Sequence, residues 1–151
     1  IADEIASRNH QHRCEVLLLE ETQANAVQAV ALNVKEGTLI FHSLMLHYEN
    51  DVPVQIEDRC VNATLVPDYL QQDYTVTTPH AWLSQVAPLT EGEHIVEAVR
   101  ATPQECERLR IKEHDPCLLI RRRTWSSSHI VSHARLLFPG NRYRLQGHFM
   151  S

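Results

Sequence analysis

The sequence predicts an α+β domain built on one mostly antiparallel β-sheet with short flanking helices. Segments with strand-like alternation outnumber the helical ones, most are joined as hairpins, and the short helices fall between them. The chain has 151 residues, 43% of them hydrophobic and 22% charged, so it can bury a core of its own without disulfides or metals. No repeat or linker divides it, and we expect one domain over residues 1–151.

One long hairpin dominates the first half of the chain. Its arms are TLIFHSLMLHY and VPVQIEDRCV, and turn-forming residues from Asn50 to Pro53 lie between them. Because the first arm is apolar on both faces, we expect it inside the sheet, covered on both sides. The other elements predicted here are a helix over 1–8, a strand over 14–21, a helix over 25–32 and one helical turn over 67–70.

Two helix starts in the second half share one signal. Thr78 and Thr102 each supply a capping hydroxyl, and each is followed by a proline at the first helical position. Glu105 adds the acidic residue of a capping box. These signals predict helices over 79–87 and 103–110. The predicted strands are 92–101, a hairpin with arms 116–125 and 130–138, and a final strand over 142–149.

The composition argues against membrane, secreted and nucleic-acid-binding classes. No apolar run approaches the ~20 residues that a bilayer span needs, and the first residues, IADEIASRNH, lack the apolar core of a secretory signal. The four cysteines stand singly, without the spacing of disulfide scaffolds or zinc sites. A net charge of −5 does not suit a phosphate-binding surface. We therefore expect a cytoplasmic location, no membrane partner and no DNA contact by these residues themselves.

Catalytic and metal-binding motifs are absent from the sequence. The ten histidines include no H-E-x-x-H and no Cys/His pairing, so neither a metal nor another cofactor is predicted. There is no G-x-S-x-G, and the four glycines form no phosphate-binding loop. No catalytic residue is predicted, although spacing alone cannot reveal a convergent triad, so an enzyme stays open as an alternative.

Charged side chains recur inside strands that ought to be core. Glu57 and Arg59 share one face of the first hairpin, while the second hairpin carries three arginines in one arm and polar residues in the other. Buried charges are tolerated only when they are paired and hydrogen-bonded. Such a set forms either an ion-pair network or a ligand pocket. A third interpretation is that these faces are simply solvated. The residues concerned in the second hairpin are Arg121, Arg122, Arg123, Ser132, His133 and Arg135.

Several blocks of the sequence together resemble one family of regulatory domains. The blocks are FHSLMLHYENDVPVQIEDRCVN, APLTEGEHIVEAV, CLLIRRRTWS and VSHARLLFPGNRYRLQG, and they cover nearly the whole chain in order. They resemble the effector-binding UTRA domain of the HutC branch of GntR-type bacterial repressors. The resemblance implies a chorismate lyase-like fold, a homodimer, and urocanate, the first product of histidine breakdown, as effector. It also implies that operator DNA is bound only by an N-terminal winged-helix domain, which is not part of this chain.

The resemblance also implies site residues, with two departures from the family pattern. Met45 and His47 stand where many relatives have two arginines, and Ser132 stands where they have an acidic residue. These departures favour a smaller ligand of lower charge than a sugar phosphate. The positions that keep the family's residue type, or fall in its ligand-contacting region before the central helix, are Glu57, Arg122, Arg142, Tyr143, Thr78 and His80.

The chemistry of urocanate assigns expected roles to these residues. Its carboxylate calls for the planar fork of an arginine, either Arg122 or Arg135, assisted by a helix N-terminus. Its imidazole N–H calls for an acceptor, expected to be Glu57, with His47 and Tyr143 beside the ring. Two alternatives remain open at this point: an enzyme on a chorismate lyase-like fold, and a sensor for a different small carboxylic acid.

Overall fold

A six-stranded antiparallel sheet forms the centre of the protein, which we describe from a computed structural model of residues 1–151. The strands are β1 (His12–Gln23), β2 (Leu39–Glu49), β3 (Val52–Val61), β4 (Glu91–Val99), β5 (Cys117–Ser126) and β6 (His129–Pro139). Their order in the sheet is β1-β2-β3-β6-β5-β4. The helices are α1 (Ala2–Ser7), α2 (Ala26–Leu32), α3 (Pro79–Val86) and α4 (Pro103–Leu109), with a 3₁₀ turn at Tyr69–Gln71. The predicted α+β class is confirmed.

Both predicted hairpins are present, and each closes through a two-residue turn. Asn50 and Asp51 have positive φ between β2 and β3, and Ser127 and Ser128 have positive φ between β5 and β6. Two such residues in sequence match the right-handed twist of the flanking strands. β2 lies between β1 and β3, as its apolar faces predicted. The two hairpins pair through β3 and β6, which therefore occupy the middle of the sheet.

The two faces of the sheet are covered by different elements. On one face, α3 and the loop after β3 pack over a core that includes Met45, Val61, Tyr69 and Leu83. On the other face, α4 packs over a core centred on Leu109, and α2 over a smaller cluster. We call the face under α3 the cleft face, because it also carries the polar side chains described below. Alternation along each strand decides which residues reach it.

Side chains cap the helices that the sequence predicted. The Asn25 and Gln28 side chains form a reciprocal capping box on α2, and Thr102 and Glu105 form another on α4. The Thr78 hydroxyl accepts the backbone N–H of Ala81 at the start of α3. These caps satisfy N–H groups that have no partner within a helix. They fix where each short helix leaves the sheet.

The prediction of a final strand over 142–149 is wrong. These residues form no strand, and the preceding strand β6, which pairs with β3 on one side and β5 on the other, has no free edge for them to pair with. A turn closed by the bond from Arg142 N to Pro139 O leads the chain away from the sheet. The Arg142 guanidinium then donates to the carbonyl oxygens of Pro53, Leu109 and Arg110. Arg142 thus anchors the C-terminal segment to α4 and to the first hairpin.

All four cysteines are free and buried. Burial raises the pKa of each thiol, to about 12 for Cys14 and about 11 for Cys60. None is paired with another cysteine, as their single spacing predicted. The helices are all too short to cross a bilayer.

Candidate ligand-binding site

A buried ionic cluster lies on the cleft face where β2, β3 and β6 meet. Arg59 donates from Nε to Oε2 of Glu57 (2.9 Å) and from Nη1 to Oγ of Ser132 (3.0 Å). His47 Nε2 donates to the other carboxylate oxygen, Oε1 of Glu57 (2.9 Å). All four side chains are almost completely buried. The charged centre of β3 is therefore paired and hydrogen-bonded, which is the condition under which buried charges are tolerated.

The charge state of this cluster follows from its contacts. Burial alone would raise the pKa of Glu57, but the Arg59 guanidinium and the hydrogen bond from His47 outweigh it. Together they hold the pKa of Glu57 well below its usual range. Because an ionised carboxylate only accepts, His47 uses its Nε2 proton here, and its Nδ1 lies within hydrogen-bonding distance of Nε2 of His12 (2.8 Å). Burial and the neighbouring His47 lower the pKa of His12 to about 4, so His12 is neutral at pH 7.

A narrow polar cleft opens directly beside the cluster. About 460 Å³ of atom-free space lies there, part of it the open solvent at its mouth. Its lining comes from β3, β5 and β6 of the sheet, from the start of α3 and from the segments near both chain ends. The residues that line it are Ile1, Glu4, Gln55, Glu57, Arg59, Thr78, His80, Ile120, Arg122, Leu136, Phe138 and Tyr143. Charged groups and apolar surface thus meet in one small space, as in many small-molecule sites.

Arg122 is the cation of the cleft without an acidic partner. Its side chain makes one hydrogen bond within the protein, from Nε to Nε2 of His94 (2.8 Å). Its two terminal nitrogens donate to no protein acceptor. Burial, followed by repulsion from Arg59, lowers the pKa of Arg122 from its usual value. A half-buried guanidinium in this position favours a bound anion, since an anion would supply the missing charge and acceptors.

The start of α3 lies across the cleft from Arg122. Thr78 caps the helix, and His80 occupies its second position. Burial, with Arg122 and Arg59 nearby, lowers the pKa of His80, so its imidazole is neutral at pH 7. The N-terminal end of a helix carries a partial positive charge, and in the first three positions of α3 the free N–H is that of His80, since Pro79 has none and the Ala81 N–H is bonded to Thr78. The α3 N-terminus therefore adds to the anion preference set by Arg122.

Aromatic and aliphatic side chains form the apolar wall of the cleft. The Tyr143 ring stacks on Phe138 with 3.8 Å between ring centroids, and both line the cleft. Ile120 and Leu136 lie beside them on β5 and β6. These flat and branched surfaces suit a planar ring or an unsaturated chain. Tyr143 comes from the C-terminal segment that Arg142 anchors.

The structure brings five of the nine predicted site residues to the lining of this cleft and places the other four elsewhere. Glu57, Thr78, His80, Arg122 and Tyr143 line it, as described above. His47 lies behind Glu57, to which it donates. Met45 is completely buried in the core under α3. Ser132 contacts Arg59 and lines a smaller adjoining cavity.

Arg135, which the sequence predicted as a site residue, does not line the cleft. It pairs in register with Asp58, whereas Glu57 pairs with Leu136, so Arg135 lies on the opposite face of the sheet. There its Nη1 donates to Oε2 of Glu105 on α4 at 2.7 Å. Of the two arginines that the sequence left open, Arg122 lines this cleft and Arg135 does not.

Sequence reasoning missed Gln55 among the lining residues. It lies two positions before Glu57 on β3 and hence on the same face. Polar side chains at every second position from Gln55 to Arg59 in an otherwise apolar strand were the available signal. Phe138 and Ile120 were missed for a different reason, because apolar strand residues carry no signal that separates a cleft wall from a core.

A larger groove elsewhere does not have the same character. It is formed by Arg8, Glu49 and the C-terminal segment from Gly140 to Gln146, and Tyr143 is its one hydrophobic side chain. Arg8 already binds both oxygens of Glu49, at 3.0 and 2.9 Å. This groove is therefore a solvated ion-paired surface. No group of three His, Cys, Asp or Glu side chains lies close enough together to hold a metal ion.

Comparison with known proteins identifies the class of domain. The family model described as the UTRA domain matches residues 7–144. The chain therefore belongs to the UTRA domain family, as its sequence blocks predicted. The effector domain of PhnF from Mycobacterium smegmatis has the same fold, with a TM-score of 0.91 over 99% of this chain and 94% of that one. At 14% identity, that likeness shows the fold alone.

More similar relatives are histidine utilization repressors. The chain is 77% identical to the Klebsiella aerogenes repressor and 62% identical to the Pseudomonas aeruginosa repressor, each over 151 residues. It is covered completely in both matches and spans 63% and 60% of their lengths. The crystal structure of the C-terminal domain of the Pseudomonas syringae repressor has a TM-score of 0.90 and 57% identity, covering 93% of this chain and 100% of that one. These relatives confirm the prediction of a regulatory domain and not an enzyme.

Proposed function

We propose that this chain is the effector-sensing domain of a cytoplasmic repressor of histidine-utilisation genes, with urocanate as the inducer bound in the cleft. The cleft offers a cation without a partner at one end, a helix N-terminus across from it, and an apolar wall between. Urocanate has the matching parts, an acrylate carboxylate and a planar ring. The names of the relatives support the pathway, and the cleft chemistry supports the ligand class.

The observation that carries this proposal is the free guanidinium of Arg122. The carboxylate of urocanate binds there through the two terminal nitrogens, with the free N–H of His80 at the start of α3 nearby. The ring then extends toward Glu57 and Arg59 and lies against Phe138 and Tyr143. Glu57 shapes this end of the site by holding Arg59 and His47 in place.

Urocanate acts as an inducer only if it binds one arrangement of the repressor more tightly than another. In the intact repressor, the operator is bound by a separate N-terminal winged-helix domain, and urocanate binding weakens that contact. Typical couplings of about 1 to 3 kcal/mol are sufficient for a 5- to 150-fold change in operator affinity.

The proposed repressor is a homodimer, and one surface of this domain suits a second copy. Val27 and Val30 on α2 and Ile95 on β4 are 76%, 76% and 48% exposed, and they border one groove. The rim carries charges of both signs, from Glu93, Arg121 and Arg123. Nε of Arg123 is buried without a protein acceptor. A two-fold contact would bring acids and arginines together and cover the valines.

A panel of ligands tests the effector and separates the alternatives. Thermal unfolding of this chain is measured with urocanate, histidine, imidazolepropionate and chorismate, because a ligand that binds only the folded state raises the melting temperature. We expect urocanate to give the largest rise. If another acid gives a larger rise in melting temperature, that acid and not urocanate is the effector. Consumption of chorismate or urocanate during incubation would instead indicate an enzyme.

Testing the proposed release of operator DNA requires the full-length repressor. Operator binding is measured by mobility shift with and without urocanate, for the full-length protein and for this chain alone. We expect the full-length protein to release the operator when urocanate is added, and this chain to give no shift. If urocanate does not release the full-length protein from the operator, induction is refuted even if the ligand binds.

A further inference from the structure

Gln55 is a buried polar residue of the cleft that the proposed function leaves unused. It lies on β3, paired in register with His47 and two residues before Glu57. Its side chain is only 3% exposed, and it lines the cleft. Its Oε1 accepts no hydrogen bond from any protein donor.

This unpaired acceptor contrasts with its neighbours. His47, Glu57, Arg59 and Ser132 all make hydrogen bonds with one another in the same layer. Most buried polar atoms in folded proteins have a partner, and an unsatisfied one is destabilising. Replacing Gln55 with an apolar side chain would remove an uncharged acceptor from the cleft. Its position is therefore that of a group that meets a donor on a ligand.

We propose that Gln55 determines the specificity of the cleft by accepting the ring N–H of a planar heteroaromatic acid through Oε1. The inference rests on the proposed function, in which Arg122 binds the carboxylate end of the same molecule. Each oxygen of Glu57 already accepts one bond, from His47 or Arg59, whereas Oε1 of Gln55 accepts none, so we expect Gln55 and not Glu57 to accept the ring N–H. A neutral amide oxygen can also accept the N–H of a neutral imidazole, so the ring does not need to be cationic.

A buried acceptor of this kind rejects acids that lack the N–H group. When such a ligand binds, Oε1 of Gln55 stays without a donor, whereas a ligand with a ring N–H supplies one. The cleft should therefore discriminate between urocanate and 3-(2-furyl)acrylate, which has the same acrylate and a five-membered ring of similar shape without an N–H. An apolar residue at this position would remove that discrimination while keeping the volume.

Isothermal titration of both acids into the wild-type chain and into Gln55→Met tests this role. We expect the wild type to bind urocanate at least ~10-fold more tightly than furylacrylate, in line with an unsatisfied buried acceptor. In Gln55→Met, urocanate should lose about 10-fold or more, while furylacrylate should change by less than about 3-fold. Gln104→Met, on the exposed surface of α4, is the matched control and should behave as the wild type.

The outcomes separate this inference from the proposed function. If the wild type binds neither acid, both are overturned. If the wild type binds urocanate but Gln55→Met keeps the wild-type ratio of affinities for the two acids, Gln55 does not accept the ring N–H. The proposed effector site is then unaffected. The wild-type ratio needs no variant, so equal affinity for urocanate and furylacrylate overturns the inference even if Gln55→Met does not fold.

Discussion

Removing the charge of Arg122 gives the most direct test of the proposed carboxylate contact. Arg122→Gln keeps a polar side chain of moderate length but removes the planar fork and the positive charge. Because the terminal nitrogens of Arg122 have no protein acceptor, the substitution breaks no ion pair within the domain. Its effect should therefore fall on ligand affinity more than on folding.

The expected magnitude follows from the contact that is lost. A hydrogen bond to a charged group contributes about 1.5 to 3 kcal/mol, and each 1.4 kcal/mol is about tenfold in affinity. We expect Arg122→Gln to weaken urocanate binding by about 10- to 150-fold. Half-burial keeps the interaction from being fully screened, and the α3 N-terminus retains some of the anion binding.

Two neighbouring arginines serve as matched controls in the same calorimetric titration. Arg121 precedes Arg122 but lies on the other face, where its Nε donates to Oε1 of Glu97 at 2.8 Å. Arg135 lies on that face too, paired with Glu105. Arg121→Gln and Arg135→Gln should leave urocanate affinity within about twofold, since exposed ion pairs act locally. Unchanged affinity in Arg122→Gln, or an equal loss in Arg135→Gln, would refute the assignment of the cleft.

Three further predictions concern stability and assembly. Glu57→Gln leaves the Arg59 charge buried without its counterion, so it should lower the free energy of unfolding in urea at pH 7 by about 3 to 5 kcal/mol. Because the pKa of Glu57 is depressed in the folded state, the difference between wild type and variant should shrink as the pH falls below about 4. A difference that does not depend on pH would contradict this reasoning. Gly140→Ala should lower the free energy of unfolding by about 1 to 3 kcal/mol, and with it the melting temperature, because a Cβ would lie 2.8 Å from the Pro116 carbonyl oxygen; Gly92→Ala has no such contact and serves as control. Val27→Asp combined with Val30→Asp should convert the dimer to a monomer in analytical ultracentrifugation, and a persistent dimer would place the interface elsewhere.

The sequence predicted the elements whose signals are local. The two hairpins carry alternation on both sides of residues that accept positive φ, and α3 and α4 begin at threonine caps followed by proline. Each of these signals lies within a few residues of the structure that it specifies. The prediction of a strand over 142–149 failed because alternation shows only that a segment could pair, whereas the turn after β6 and the contacts of Arg142 lead this segment away from the sheet.

The site was less predictable, because it depends on pairing between distant strands. The spacing of Glu57 and Arg59 alone places them on one face of the strand, so this part of the site could be predicted from the sequence. Whether Arg122 or Arg135 joins them depends on the register between β3 and β6 and then between β6 and β5. A shift of one residue would exchange the two arginines between the faces. No local pattern in the sequence fixes that register.

The four buried thiols have a practical consequence for studying this domain. Thiol reagents attack the thiolate, and the raised pKa values leave very little of it at neutral pH, while burial blocks access. A single cysteine introduced on the exposed surface of α4, outside the proposed dimer contact, could thus carry a fluorescent or spin label with the native cysteines left in place. Distances between two such labels would report whether the two copies of the proposed dimer rearrange when a ligand binds.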